Sequence, residues 1–185
     1  LNQLLEKNPN AQIIHMHWIW PCGIGLPDVA EVHSIPYIVT CHGSDINVAM
    51  RGRTNRIEML KILENAFCVE FVSQALLNTA KELGYSGKNA AIIYNGIDTT
   101  IFHGKRIAHP TPIVGYVGNL LPIKGADFLP KIFKHIIEMT KGNVKFVIAG
   151  DGILRKKLEE ETDTLPTVFY GAVPQEQLAD IYAEM

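Results

Sequence analysis

Seven short apolar runs recur along this chain, at residues 12–17, 37–42, 67–72, 90–94, 113–118, 144–150 and 168–171, and their spacing limits the fold more than any single motif. They are rich in Val, Ile, Phe and Tyr and continuous rather than alternating, as strands covered on both faces are. Helical stretches lie between them: RIEMLKILENA at 56–66, QALLNTAKELG at 74–84, DFLPKIFKHIIEM at 127–139 and PQEQLADIYAEM at 174–185. In the last, Leu178, Ile181, Tyr182 and Met185 recur at helical spacing and predict one buried face. Asp127 is placed to cap the third, which leaves Pro130 in the first turn, where a missing N–H costs little. Strand–helix alternation predicts parallel sheet in an α/β fold.

The pattern breaks once, at FHGKRIAHPTP, residues 102–112, which is polar, proline-bearing and without period. That composition predicts a linker at 104–111 between two α/β units, 1–103 and 112–185. The chain opens on Leu1 and stops at Met185 with a helix under way, so it is expected to be a fragment in which each unit is incomplete.

Composition removes several function classes. Hydrophobic residues make up 47% and charged residues 19%, a globular balance. A formal charge of −2 supplies no field for nucleic acid. No apolar run approaches the roughly 20 residues that span a bilayer. The opening LNQLLEKNPN reads as a helix end and a turn rather than a secretory leader. Three cysteines, Cys22, Cys41 and Cys68, are an odd number without framework spacing. Reduced thiols and a cytoplasmic location are expected. The basic run Arg155–Lys156–Lys157 reads as a solvated helix face balanced by the glutamates at 159–161, with a peripheral membrane contact as the alternative.

Ligands of open parallel sheets bind beyond the carboxyl ends of the strands. Five successive strand ends here carry small or polar residues: His42, Gly43 and Asp45; Ser73; Asn95; Gly118 and Asn119; then Gly150, Asp151 and Gly152. Glycines let a ligand approach the backbone, and a following helix start offers free N–H groups to an anion. Lys124, on the loop after the fifth run, adds a charge suited to phosphate oxygens. Against this stands the plain alternative that Lys124 is solvated and Gly118 and Gly125 only make the turn. Neither a Walker A loop nor G-x-G-x-x-G is present.

His15 and His17 fall on one face of their strand, with Cys22, His33 and His42 near in sequence, but the spacing matches no zinc signature. Cys41 and His42 are adjacent strand residues and point to opposite faces, which disfavours a nucleophile–base pair. The aromatic faces of Trp18 and Trp20 either suit the apolar face of a ligand such as a sugar or pack a loop on its sheet.

Taken in order, IIHMHW, PYIVTCHGSD, AAIIYNGIDTTIF, IVGYVGNLLPIKGADFL, KFVIAGDGILRKKL and VFYGAVPQEQLADIY resemble the retaining family-4 glycosyltransferases of GT-B fold, over nearly the whole chain. The resemblance implies two Rossmann-like parallel-sheet domains, an acceptor-side one and a nucleotide-sugar-binding one. It implies hexosyl transfer, with retention, from a nucleotide-diphosphate sugar to a glycan, lipid or small-molecule acceptor. The setting would be cell-surface polysaccharide or glycolipid synthesis, in the cytoplasm or at the inner face of the membrane, with no cofactor and no metal. Residue by residue, Lys124 matches the lysine that holds the diphosphate, and Asn119 stands where many members carry an arginine. His42 matches the histidine that faces the reacting sugar. Gly118, Gly150, Asp151, Gly152, Ala172 and Val173 match the donor pocket. His17, Gly43, Asp45, Ser73 and Asn95 match the acceptor side or cleft. Asn95, Gly96 and Asp98 form the crossover turn, with a structural role or a ligand contact both open. By this resemblance the family's glycine-rich first loop would precede Leu1 and its donor-holding E-x7-E pair would follow Met185, so this stretch alone is expected to be inactive. A sugar-nucleotide epimerase of the same architecture and a non-catalytic nucleotide-binding scaffold are the alternatives.

Overall fold

A computed structural model describes residues 1–104 and 107–185. The chain forms two compact units, Leu1–Gly96 and Ile97–Met185.

In the first unit, α1 (Asn2–Lys7), β1 (Ile14–His17), α2 (Leu26–His33), β2 (Tyr37–Cys41), α3 (Ser44–Asn47), α4 (Arg53–Asn65), β3 (Cys68–Phe71), α5 (Gln74–Glu82) and β4 (Ala90–Ile92) follow in chain order. The strands pair in parallel in the order β1-β2-β3-β4. Val39, Val69 and Phe71 from the sheet are buried with Met59, Ile62 and Leu63 of α4 and with Leu76, Leu77 and Ala80 of α5. Each of these side chains larger than alanine contributes about 1.5–3 kcal/mol when fully buried. α5 starts where it does because Ser73 caps it, its Oγ accepting the Leu76 N–H at 3.2 Å.

In the second unit, β5 (Ile113–Val117), α6 (Leu129–Thr140), β6 (Lys145–Ala149), α7 (Arg155–Glu161), β7 (Thr167–Gly171) and α8 (Gln175–Glu184) build a parallel sheet in the order β5-β6-β7. Phe133 of α6 stacks on Phe146 of β6 with ring centroids 4.0 Å apart, beside the buried Leu120, Leu129, Ile148 and Leu158. The two parallel α/β sheets are those of a Rossmann-like, GT-B-type fold.

All seven expected strands form, six of them shorter than expected and the last, β7, one residue longer at its start. Three details differ. Asp127 does not cap α6: it lies in the preceding 3₁₀ turn Ala126–Phe128, and Phe128 takes the cap position without a side-chain bond. Pro130 does sit in the first turn of α6. On α8, Ile181 is buried, but Tyr182 is 50% exposed and breaks the expected apolar face. The helix α2 has no counterpart in the sequence reading, because Gly23, Gly25 and Pro27 punctuate GIGLP as a loop would. Pro27 instead occupies the first turn, and Ser34 closes the helix in the left-handed conformation.

The division between units falls at Gly96/Ile97, earlier than residue 103. Two contacts tie the intervening segment to α8. The Ile107 N–H donates to the Ala183 carbonyl at 2.7 Å, and the Phe102 ring meets Tyr182 edge-on at 6.1 Å. The expected linker at 104–111 includes Lys105 and Arg106, which lie outside the described residues. Among those described, no helix is long and apolar enough to cross a membrane.

Candidate functional site

In the second unit the loops after β5 and β6 are joined backbone to backbone. The Gly118 N–H donates to the Ala149 carbonyl at 2.9 Å, Leu120 N–H to Asp151 at 2.9 Å, and Leu154 N–H to Leu120 at 3.1 Å. A β-carbon on Gly150 would overlap the Gly118 carbonyl oxygen, and one on Gly152 would stand 2.6 Å from the Leu120 oxygen. These two glycines therefore first let the loops approach one another, a role the sequence reading had given only to a ligand. The joined loops and the end of β7 bring Gly118, Asn119, Gly150, Asp151, Ala172 and Val173 around one cleft of about 260 Å³. Leu178, on the second turn of α8, completes the wall. Gly152 is not part of that lining.

Asp151 is the acidic group of this cleft, and it is already engaged. Its carboxylate accepts the Gly152 N–H at 2.7 Å and Arg155 Nη1 at 2.9 Å, contacts that hold its pKa below the ordinary carboxylate value. Arg155 also donates to Glu159 at 2.9 Å and lies over Gly171. Lys124 is not in the wall. It ends the 3₁₀ turn Pro122–Lys124, exposed, and Gly125 reverses the chain behind it at φ 71°. Its ammonium makes no ion pair or hydrogen bond with the chain among the described residues. The Tyr116 hydroxyl, which sequence reasoning passed over, shapes this loop by reaching the carbonyls of Asn119 at 3.1 Å and Lys124 at 3.5 Å.

A larger hollow of about 830 Å³ in the same unit is lined by Ile97, Phe102, Val173, Leu178, Tyr182 and Met185, among others. It is mainly apolar and lacks converging charge, so the smaller glycine-loop cleft is the better place for an anion.

In the first unit, β1 and β2 bring His17 and His42 together, with His17 Nδ1 2.9 Å from His42 Nε2. The Trp18 ring lies 4.5 Å from that of His42. Asp45 is only 2% exposed, and its carboxylate accepts the N–H groups of Gly43 at 2.8 Å, Ile46 at 3.0 Å and His42 at 3.3 Å. It shapes the His42–Gly43 turn, where Gly43 takes φ 134°, instead of lining an open surface. Ser73 is likewise occupied as the cap of α5. Asn95 lies exposed after β4. Asp98, in the second unit, accepts the N–H and hydroxyl of Thr100, which holds its pKa low.

Cys41 is fully buried, and burial, with the nearby Asp45 charge, pushes its thiol pKa far up, which makes it inert. Among the described residues no group of three or more His, Cys, Asp or Glu could hold a metal ion. Sequence reasoning missed Thr40 and Glu70. Both are polar residues inside otherwise apolar strands, YIVTC and CVEF, and that placement was the available signal.

Residues 1–101 match the family model described as Glycosyltransferase Family 4, and residues 111–185 match Glycosyl transferases group 1. The chain belongs to glycosyltransferase family 4. This family-4 chain is 29% identical over 192 residues to TuaC, a proposed teichuronic acid biosynthesis glycosyltransferase of Bacillus subtilis. That alignment covers 97% of this chain and 47% of TuaC. It is 31% identical over 154 residues to MJ1178, an uncharacterized glycosyltransferase of Methanocaldococcus jannaschii, covering 83% of this chain and 40% of the relative. Among solved structures, Anabaena HepE in complex with UDP aligns with a TM-score of 0.76 at 16% identity, over 99% of this chain and 54% of HepE. The family-4 chain thus spans about half the length of these relatives.

Proposed function

We propose that the complete protein transfers a hexose, with retention, from a nucleotide-diphosphate sugar to a sugar-containing or lipid-linked acceptor in cell-surface polysaccharide or glycolipid synthesis. The observation that carries this reading is the glycine-loop cleft with an unpartnered lysine on the adjoining turn. The cleft takes the nucleoside diphosphate. Lys124 then neutralises the leaving diphosphate, aided by the N-terminus of α8, which begins just beyond Val173. Arg155, shared between Asp151 and Glu159, lessens the repulsion between the Asp151 carboxylate and the anion. The polar strand ends of the first unit, with His42 and His17, serve the sugar and acceptor side. This reading asks for no metal and no cofactor. UDP is the favoured donor nucleotide, since HepE was solved with it, and the teichuronic acid context of TuaC supports a cell-surface polymer. Such acceptors would bring the protein to the cytoplasmic face of the membrane.

Calorimetric titration of UDP, GDP and ADP tests the reading, with Lys124→Ala beside the unsubstituted protein. A charge-assisted hydrogen bond contributes about 1.5–3 kcal/mol, so Lys124→Ala is expected to weaken the preferred nucleotide roughly 10- to 150-fold. Binding that ignores Lys124, or no binding, would refute the donor site. One observation favours the scaffold reading: Asn119 brings no charge to the cleft. Nucleotide binding without transfer by the complete protein would support it.

A further inference from the structure

A polar row crosses the first unit's sheet beneath His42. The Thr40 hydroxyl donates to Glu70 Oε2 at 2.7 Å. A hydroxyl has one proton, so Thr40 Oγ1 must accept from His15 Nε2, 2.7 Å away, and His15 carries its proton there. The His15 ring lies against that of His17, with centroids 4.5 Å apart. His17 Nδ1 then meets His42 Nε2 at 2.9 Å, a distance that requires one proton between the two nitrogens. His42 is thereby held on three sides. Asp45 holds its backbone, Trp18 covers its ring, and His17 binds Nε2, which leaves Nδ1 as the ring atom without a partner among the described residues.

We propose that His17 is a positioning residue, fixing the ring orientation and tautomer of His42 so that His42 presents Nδ1 to the sugar. The inference rests on the transferase reading for the ligand, but its geometric half stands alone. If His17 donates, both rings carry their proton on Nδ1. If His42 donates, both carry it on Nε2. The two neutral rings must therefore share a tautomer.

Long-range 1H–15N correlation spectra of the histidine-labelled chain at neutral pH test this. His42 and His17 are expected to show the same tautomer, both Nδ1–H or both Nε2–H. His17→Phe keeps a ring but removes the nitrogen, and should leave His42 averaged between tautomers. His17→Asn places an amide near the lost Nδ1 and should restore one form. His42 nitrogen shifts unchanged in His17→Phe would overturn the proposal. In the complete protein, with the donor found by nucleotide binding, His17→Phe should lower kcat on the order of 10- to 100-fold with little change in KM, and His17→Asn should recover most of it. Equal losses in both variants, or none, would also overturn it. Failure of the transferase reading is seen separately, as absence of nucleotide binding in the calorimetric titration of the unsubstituted protein.

Discussion

Gly150→Ala tests the central feature of the second unit, the backbone contact between its two glycine loops. Gly150 sits at φ 145°, where a side-chain-bearing residue costs about 1–3 kcal/mol. The added carbon would also overlap the Gly118 carbonyl, and because both partners are backbone, no rotamer change can relieve it. The loops must part, weakening Gly118 N–H to Ala149 at 2.9 Å and Gly150 N–H to Gly171 at 2.7 Å, about 0.5–1.5 kcal/mol each. The expected loss is about 2–6 kcal/mol. Gly142→Ala is the control: its φ is also positive, at 81°, but nothing lies within 4 Å of the new carbon. It should cost only about 1–2 kcal/mol. Amide exchange at β6 residues reads both, tenfold for each 1.36 kcal/mol. Roughly 30-fold to 10⁴-fold faster exchange is expected for Gly150→Ala, against about 5- to 30-fold for the control. Equal acceleration in the two variants would refute the steric argument. Gly150→Ala should also abolish nucleotide binding, since the cleft is made by the joined loops.

Asp45→Ala removes the acceptor for three N–H groups, and a hydrogen bond to a charged group contributes about 1.5–3 kcal/mol. It should destabilise the first unit by at least about 2 kcal/mol in urea unfolding followed by tryptophan fluorescence, since Trp18 and Trp20 both lie there. Asn119→Arg adds charge at the cleft wall and should tighten nucleoside diphosphate binding roughly tenfold by calorimetry; no gain would mean that side chain does not face the diphosphate. Burial pushes the Tyr37 phenol up to about 12, and its hydroxyl donates to the Ile62 carbonyl at 2.7 Å. A raised folded pKa means the unfolded state loses its proton first. The Tyr37 contribution should be intact below pH 10 and fall between 10 and 12 at up to about 1.4 kcal/mol per pH unit, read by tyrosinate absorbance together with unfolding. A flat stability profile across that window would contradict it.

The sequence alone determined the seven strands, their parallel pairing and the residues that end them. Apolar continuity and turn chemistry are local properties, and alternation with helices leaves parallel sheet as the outcome. It also marked most of the glycine-loop cleft, because ligand-facing loops of such sheets follow strand ends. Locality failed at α2, where glycines and proline imitate a loop, and at Asp127, where a 3₁₀ turn displaced the cap. Only the tertiary structure decided what the marked residues do. Gly150 and Gly152 are needed for loop-on-loop contact, Asp151 is held by Arg155, and Asp45 is buried as the support of the His42 turn. Nor does local pattern show that His17 and His42, 25 residues apart, share a proton, or that Thr40 and Glu70 stand behind them. Those contacts exist because β1, β2 and β3 pair side by side in a particular register, and register is a property of the whole sheet.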